Sequence, residues 1–389
     1  MRKTIAMITS EESFDNNYGA VLQGFALFHK IEEFGYNPVI IRYYGGEFSD
    51  GKTPAILHNI KTKVWKIKRW LLRSKEYRKT VKKYNRQIKA RKLLFIQFQK
   101  ETLNFWNKDR IGWRKLKSNY PDANAYVCGS DQIWNPYFKR GYNDPGYFLA
   151  FAPKTAKKIS YAPSFGCSDL PITAQNDLGT LLEDFTAISV REKSGIDIVK
   201  KYAHRDAKLV LDPTMLLTSD EWKIIARKPS GIQDRYILCY RFANSKKTQS
   251  SIDNIAERMG LPVISLPLSD ITLNDPYQFI FEAGPREFVG LIQNATLVCT
   301  DSFHATVFSI LMKTPVCVFL RENYQGGNSM NSRIYSLLEM LGLEYLIQTE
   351  YDTCDRNLGC LKEDYLEAHR RLDSHRIESL AFLKNAIEG

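Results

Sequence analysis

The sequence predicts an α/β fold built as two Rossmann-like domains facing a cleft. Three observations predict it. Short apolar runs rich in Val, Ile, Leu and Phe alternate with stretches whose apolar residues recur at helical spacing. Almost every run ends abruptly in polar or small residues, as strands do at the carboxyl edge of an open parallel sheet. The 389 residues also exceed what one hydrophobic core usually supports.

Thr4 to Ile8 reads as the first strand, and Val21, Leu22, Phe25, Ala26, Phe28 and Ile31 mark a helix that stops near Gly35. Pro38 to Tyr43 follows as a second strand, and parallel strands joined this way need such a crossover helix. Asn17 and Gly19 lie at that helix's mouth, where an α/β sheet places ligands.

Residues 50–120 interrupt the alternation. From Lys61 to Lys100 there are sixteen Lys or Arg against one acid, Glu76, so the net charge of +12 belongs to this segment. Ile60, Val64, Ile67 and Leu71 form one helical stripe beside Trp65 and Trp70; Tyr77, Val81, Tyr84 and Ile88 continue the spacing. Two or three basic amphipathic helices are expected, as a solvated face or as a surface for anionic lipid headgroups through residues 60–92. No finger, RNP or winged-helix pattern supports nucleic acid as a partner.

The alternation resumes at Ala125 to Cys128, which ends in Gly129-Ser130-Asp131-Gln132-Ile133-Trp134-Asn135. Lys158 to Tyr161, Ala187 to Val190 and Leu209 to Leu211 are further strands, the last two ending in Arg191-Glu192 and Asp212-Pro213-Thr214. A polar stretch near residues 218–232 marks the boundary between a domain of residues 1–225 and one of residues 226–389. Strands are then expected at Tyr236–Tyr240, Pro262–Leu266, Leu297–Thr300 and Val316–Leu320, with helices near 248–259, 285–294, 304–313 and 332–341. A closing helix over 364–388 is placed to pack back onto the first domain.

The densest chemistry lies in Thr300-Asp301-Ser302-Phe303-His304. Asp301 and Ser302 sit where N-cap residues belong, putting His304 in the first helical turn at a strand's carboxyl end. Unpaired backbone N–H groups and the positive end of the helix dipole suit an anion there, and an imidazole beside it moves protons near neutral pH. Arg191, Arg321 and Arg333 stand at other strand or helix ends, so a small, multiply anionic substrate is expected.

Several classes are excluded. The apolar start of the chain ends at Thr9-Ser10-Glu11-Glu12, too short for a signal peptide, and no run approaches the length of a membrane span. Seven cysteines, four of them in apolar runs, read as reduced core thiols of a cytoplasmic protein. Neither a dinucleotide fingerprint nor a Walker A, nucleophile-elbow or zinc motif occurs, so no metal and no cofactor is expected.

Taken together, Asn17 to Gln23, Gly129 to Asn135, Ser189-Val190-Arg191-Glu192, Leu211 to Thr214 and Thr300 to His304 resemble the polysaccharide pyruvyl transferase family, in order, from about residue 5 to residue 345. Ala305 stands where many relatives have Gly. The resemblance implies a fold similar to the B-type glycosyltransferases. It implies transfer of the enolpyruvyl unit of phosphoenolpyruvate to two hydroxyls of a sugar, in a surface polysaccharide or its lipid-linked precursor, with release of phosphate. It makes His304, Asp131 and Asp301 the catalytic candidates, with Asp301 as a helix cap the alternative. Arg191, Ser302, His304, Arg321 and Arg333 become donor-binding. Asn17, Gly19, Gly129, Ser130, Gln132, Trp134 and Asp212 are assigned to the acceptor or the cleft. The competing expectations are a nucleotide-sugar glycosyltransferase of the same fold class and a non-enzymatic sugar- or anion-binding regulator.

Overall fold

In the computed structural model of the chain, the described residues are 2–11, 14, 16–45, 75–139, 141–243, 245–267, 276–321, 331–348 and 361–389, with backbone alone at 75–85, 139 and 361–364. The expected helical stripe of residues 60–71 lies outside them.

In chain order the strands are β1 (Thr4–Ile8), β2 (Asn37–Ile40), β3 (Ala125–Cys128), β4 (Lys157–Ser160), β5 (Ser189–Val190), β6 (Lys208–Leu209), β7 (Ile237–Tyr240), β8 (Val263–Ser265), β9 (Gln278–Phe279), β10 (Leu297–Thr300) and β11 (Val316–Val318). The longer helices are α1 (Tyr18–Glu33), α2 (Lys75–Thr102), α3 (Lys193–Ala203), α4 (Ser219–Ile225), α5 (Lys246–Met259), α6 (Pro285–Asn294), α7 (Phe303–Met312), α8 (Ser332–Leu341) and α9 (Leu361–Glu388).

Every strand pair is parallel. The first sheet runs β2-β1-β3-β4, and a bridge from Ile159 to Ala187 carries it toward the β5-β6 ladder. The second runs β11-β10-β7-β8-β9. Both sheets are covered by helices, so their strands are buried on both faces, which explains apolar runs without alternation. Cys128, Cys239, Cys299 and Cys317 lie buried within these runs and form no disulfide.

This order fixes where a ligand can sit. In the first sheet the chain leaves β1 for β2 on one side and pairs β3 on the other. In the second, β7 leads to β8 on one side and pairs β10 on the other. The crevices between β1 and β3 and between β7 and β10 are therefore the two topological switch points, where loops part at the carboxyl edge.

The halves are joined through α1. Tyr18 stacks on Phe288 of α6 (ring centroids 4.5 Å apart, 8° between planes) and its hydroxyl donates to the Ala283 carbonyl at 2.8 Å. The closing helix α9 reaches β4 and the 208–215 segment, where Ser379 Oγ accepts from Leu211 N–H and Arg376 Nε donates to the Met215 carbonyl.

Two expectations are corrected. The second strand ends at Ile40 instead of Tyr43, because Arg42 N–H turns to Asn107 Oδ1 (2.8 Å) and Tyr43 bridges Ile111. The described part of the basic insertion holds a six-residue helix, Trp113–Ser118, and the 28-residue α2. Its end is not a solvated face. Phe95 and Phe98 are buried, and the buried Arg91 donates to the carbonyls of Pro267, Ile280 and Phe281.

Candidate active site

A cavity of about 390 Å³ opens between the two switch points. Its walls come from the loop after β1 (Ser10, Asn17, Gly19), the loop after β3 (Asp131, Gln132, Ile133), the loop after β7 (Phe242, Ala243), and the head of α7 (Ser302, Phe303, His304). Arg321 follows β11, Arg333 stands in the first turn of α8, and Phe138 and Tyr147 complete the lining.

The head of α7 forms as its sequence directs. Ser302 is extended and its Oγ accepts from Ala305 N–H, so Ser302 alone is the cap. Asp301 does neither of the jobs expected of it. It lies outside the cavity lining, and its two oxygens accept from the N–H groups of Phe242 (2.8 Å) and Ala243 (2.7 Å), tying down the loop after β7. Burial raises its carboxyl above the ordinary value despite Arg321 Nε at 3.6 Å.

His304 projects from the first turn into a nest that glycine makes possible. A Cβ at Gly19 would lie 2.0 Å from Nδ1, so only glycine at the mouth of α1 admits the imidazole. On the ring's other side Nε2 is buried 3.6 Å from Asp212 Oδ2. The loop after β6 thus supplies a carboxylate beneath the histidine, and Asp212 is corrected from a cleft residue to a fully buried partner of His304. Its other bonds hold it rigid: Oδ2 accepts from Arg191 (2.6 Å) and Ser130 Oγ (3.3 Å), and Oδ1 from Thr214 N–H and Oγ1. Burial alone would raise the Asp212 carboxyl, but His304 and Arg191 outweigh it and hold the group well below the carboxylate range.

Arg191 is the second correction. It is absent from the cavity lining because its guanidinium is engaged by Asp212 and by Asp131 Oδ1 at 3.1 Å, with Glu192 at 3.9 Å. Two carboxylates thus hold one oxygen each against the guanidinium, while its buried Nε has no hydrogen-bond partner. Asp131 does line the cavity, with Ser10 Oγ donating to its other oxygen at 3.2 Å. Burial works against its charge, yet Arg191, His304 and Arg333 keep its carboxyl below the ordinary value.

Arg333 is the contrasting case. Its guanidinium is buried, lines the cavity and rests 5.8 Å from the Phe303 ring centre. Among the described residues no carboxylate lies within ion-pair reach of it, and its Nε has no hydrogen-bond partner. Burial, aggravated by Arg191, pulls it down to about 9. Arg321 lies beside it on the lining, its guanidinium 4.4 Å from the Phe242 ring centre. A buried cation without an ion-pair partner beside a helix N-terminus has the charge that suits an anion.

Of the remaining expected residues, Asn17 and Gln132 line the cavity. Gly129 and Ser130 do not: a Cβ at Gly129 would lie 1.9 Å from the Tyr161 carbonyl oxygen, and Ser130 is buried against the Ala162 carbonyl. Trp134 is also corrected, since it is a core residue stacked on Phe148 at 4.8 Å with Nε1 donating to the Tyr147 carbonyl. Phe138 and Phe242 were missed. The signal for Phe242 was its place two residues beyond Tyr240, the last residue of β7.

Solved structures similar to the chain include a putative UDP-N-acetylglucosamine 2-epimerase from Listeria monocytogenes, with 10% identity, a TM-score of 0.46 and 95% of this chain and 94% of that one covered. Others are MurG from Acinetobacter baumannii (9%, 0.39, 95% of each chain) and the heptosyltransferase WaaC from E. coli (9%, 0.37, 86% of this chain and 99% of that one). At such identity the likeness concerns the fold alone. No curated protein matches the sequence. The profile described as polysaccharide pyruvyl transferase matches residues 17–323, the span that holds α1, β3, the whole second switch point, His304 and Arg321. The chain belongs to the polysaccharide pyruvyl transferase family.

Proposed function

We propose that this transferase uses phosphoenolpyruvate as donor and closes a pyruvate ketal on two hydroxyls of a sugar, releasing phosphate. The observation that carries the reading is Arg333, a buried guanidinium without a carboxylate partner among the described residues, set beside Arg321 and the capped head of α7. Phosphoenolpyruvate carries a carboxylate and a phosphate on adjacent carbons, the charge pattern that two arginines and a helix N-terminus complement.

The roles divide by charge state. Asp131 is held ionised, so it accepts a proton from a sugar hydroxyl and does not supply one. His304, steadied by Asp212, is then the acid that protonates the methylene carbon. Protonation leaves an oxocarbenium-like centre at the carbon bearing phosphate. One hydroxyl oxygen bonds to that carbon and gives its proton to Asp131. The carbon–oxygen bond to phosphate breaks, and the second hydroxyl closes the ketal as its proton leaves on the phosphate. Asp131 and His304 exchange the remaining proton, so the site returns to its starting state.

In His304→Ala, phosphate release from phosphoenolpyruvate plus acceptor should be abolished with the melting transition retained. Near-normal turnover in that variant removes the assignment. In heavy water the wild type should place one deuterium in the product methyl group. A nucleotide-sugar reading is separated by calorimetry: phosphoenolpyruvate binds and nucleotide sugars do not.

A lipid-linked acceptor at the inner face of a membrane belongs to the same proposal. Among the described residues no helix is long and apolar enough to cross a membrane. Attachment would come from the basic segment 60–92, of which the side chains before residue 86 lie outside the described residues. Binding to anionic vesicles that disappears at high salt is the expected result, and its absence at low salt counts against this part.

A further inference from the structure

The cavity lining combines charge with an aromatic ring. Arg321, Arg333, His304 and the head of α7 supply the charge. Phe138 is 54% exposed although it lines the cavity, and no ring or cation contact to it is found among the described residues. An exposed phenyl ring on a cavity lip is informative where a scattered surface apolar residue is not.

The ring is presented by a rigid turn. Phe138 lies in a short 3-10 turn, Pro136–Lys139. The buried Asn135 locks the approach to it: its Oδ1 accepts from Tyr137 N–H at 3.0 Å, its carbonyl accepts from Phe138 N–H, and its Nδ2 donates to Gln132 Oε1 at 2.9 Å. Trp134 anchors the same turn in the core. The neighbouring amides are oriented by the same bonds. Gln132 Oε1 is taken by Asn135, and Asn17 Oδ1 by Ala20 N–H at 3.2 Å. One lone pair of each carbonyl oxygen is thereby engaged, and each of these two cavity-lining residues carries an –NH₂ group that can donate.

We propose that Phe138, with the amide donors of Gln132 and Asn17, forms the acceptor-sugar subsite. A pyranose has an apolar face of C–H bonds, slightly positive, that lies on the negative face of a phenyl ring. Its rim of hydroxyl oxygens takes amide N–H donors. The inference rests on the sugar ketal reading above. It names the residue on which the sugar ring lies.

The test uses the full chain and methyl glycosides of galactose, glucose, mannose and N-acetylmannosamine, with binding followed by ligand-observed NMR with and without phosphoenolpyruvate. At least one glycoside should bind the wild type, Phe138→Ala should weaken it about 3- to 10-fold, and Phe138→Tyr should restore it. Phosphoenolpyruvate affinity, measured separately, should be equal in all three proteins. Unaltered glycoside affinity in Phe138→Ala overturns the subsite, as does a wild type that binds none of the four. Phe138-dependent glycoside binding in a chain that fails to bind phosphoenolpyruvate supports the subsite and overturns only the donor.

Discussion

Replacing Arg333 by Met should make the ligand-free protein melt higher while abolishing its response to the donor. Burial and the neighbouring Arg191 pull the guanidinium from its ordinary range down to about 9. At about 1.4 kcal/mol per pH unit, keeping the cation in place costs up to about 5 kcal/mol. The sign follows from proton counts. Below about pH 9 folded and unfolded states both hold the proton, so the penalty is fully present at neutral pH. It fades only as the pH rises from about 9 towards the range of an unfolded guanidinium. Met keeps the apolar stem but loses the cation's contact with the Phe303 ring, about 0.5–2 kcal/mol. The net gain is then about 1–4 kcal/mol. For a chain of 389 residues, with an unfolding entropy of about 0.8 kcal/mol/K, that is a rise of about 1–5 °C in Tm. Thermal melts in phosphate-free buffer measure it. Phosphoenolpyruvate should raise the wild-type Tm, whereas the variant should bind it about 10- to 100-fold more weakly, the loss of one charged hydrogen-bond set. An Arg333→Met protein that melts below the wild type and keeps its phosphoenolpyruvate shift refutes the reasoning.

Gly19→Ala should push the imidazole of His304 out of its nest, because the new Cβ would stand 2.0 Å from Nδ1. Turnover should fall about 100-fold for a displacement near 1 Å, with phosphoenolpyruvate affinity kept; unchanged turnover contradicts the geometry. Asp212→Asn should lower turnover about 100-fold or more, as expected when a histidine loses its orienting carboxylate. It should also flatten the acid limb of stability. Asp212 and Asp131 titrate below their ordinary values when folded, so their stabilisation is complete above about pH 4 and lost as the pH falls through the folded values; equal acid unfolding of variant and wild type counts against this. Arg91→Ala should leave the Pro267, Ile280 and Phe281 carbonyls without their donor. A loss of about 3–5 kcal/mol, about 4–6 °C in Tm, is expected in melts, and a change under 1 °C contradicts the brace, again at about 0.8 kcal/mol/K.

The strand ends were legible because the physics that marks them is local. An apolar run buried on both faces must stop where the chain meets solvent, so Cys128-Gly129 and Thr300-Asp301 announced two carboxyl edges directly. The cap at Ser302 was equally local. Partner choice was not. Arg191 and Arg333 are alike in sequence as arginines at element ends, and only the tertiary fold brings Asp131 and Asp212 within ion-pair distance of the first and not of the second. Trp134 and Phe138 show the same limit. Four residues apart, one ring stacks in the core and the other stands on the cavity lip, and the hydrogen bonds of Asn135 decide between them. Asp301 was misread because a residue just before a helix cap can turn either way, and here the N–H groups of Phe242 and Ala243 on a neighbouring strand end outbid the helix.

The difference between the two arginines explains how a site can be both rigid and receptive. Phe303 stands between these roles: the Arg191 guanidinium lies 4.8 Å from its ring centre and that of Arg333 5.8 Å. Arg191 is surrounded by Asp131, Asp212 and Glu192, and these charges fix the floor on which His304 rests. Had those carboxylates been shared with Arg333, its charge would be neutralised internally and an incoming anion would have to displace a buried ion pair, which is costly. Concentrating the acids on Arg191 leaves Arg333 without an ion-pair partner among the described residues. Under the proposed function, binding a carboxylate or phosphate would relieve a penalty already present in the folded chain.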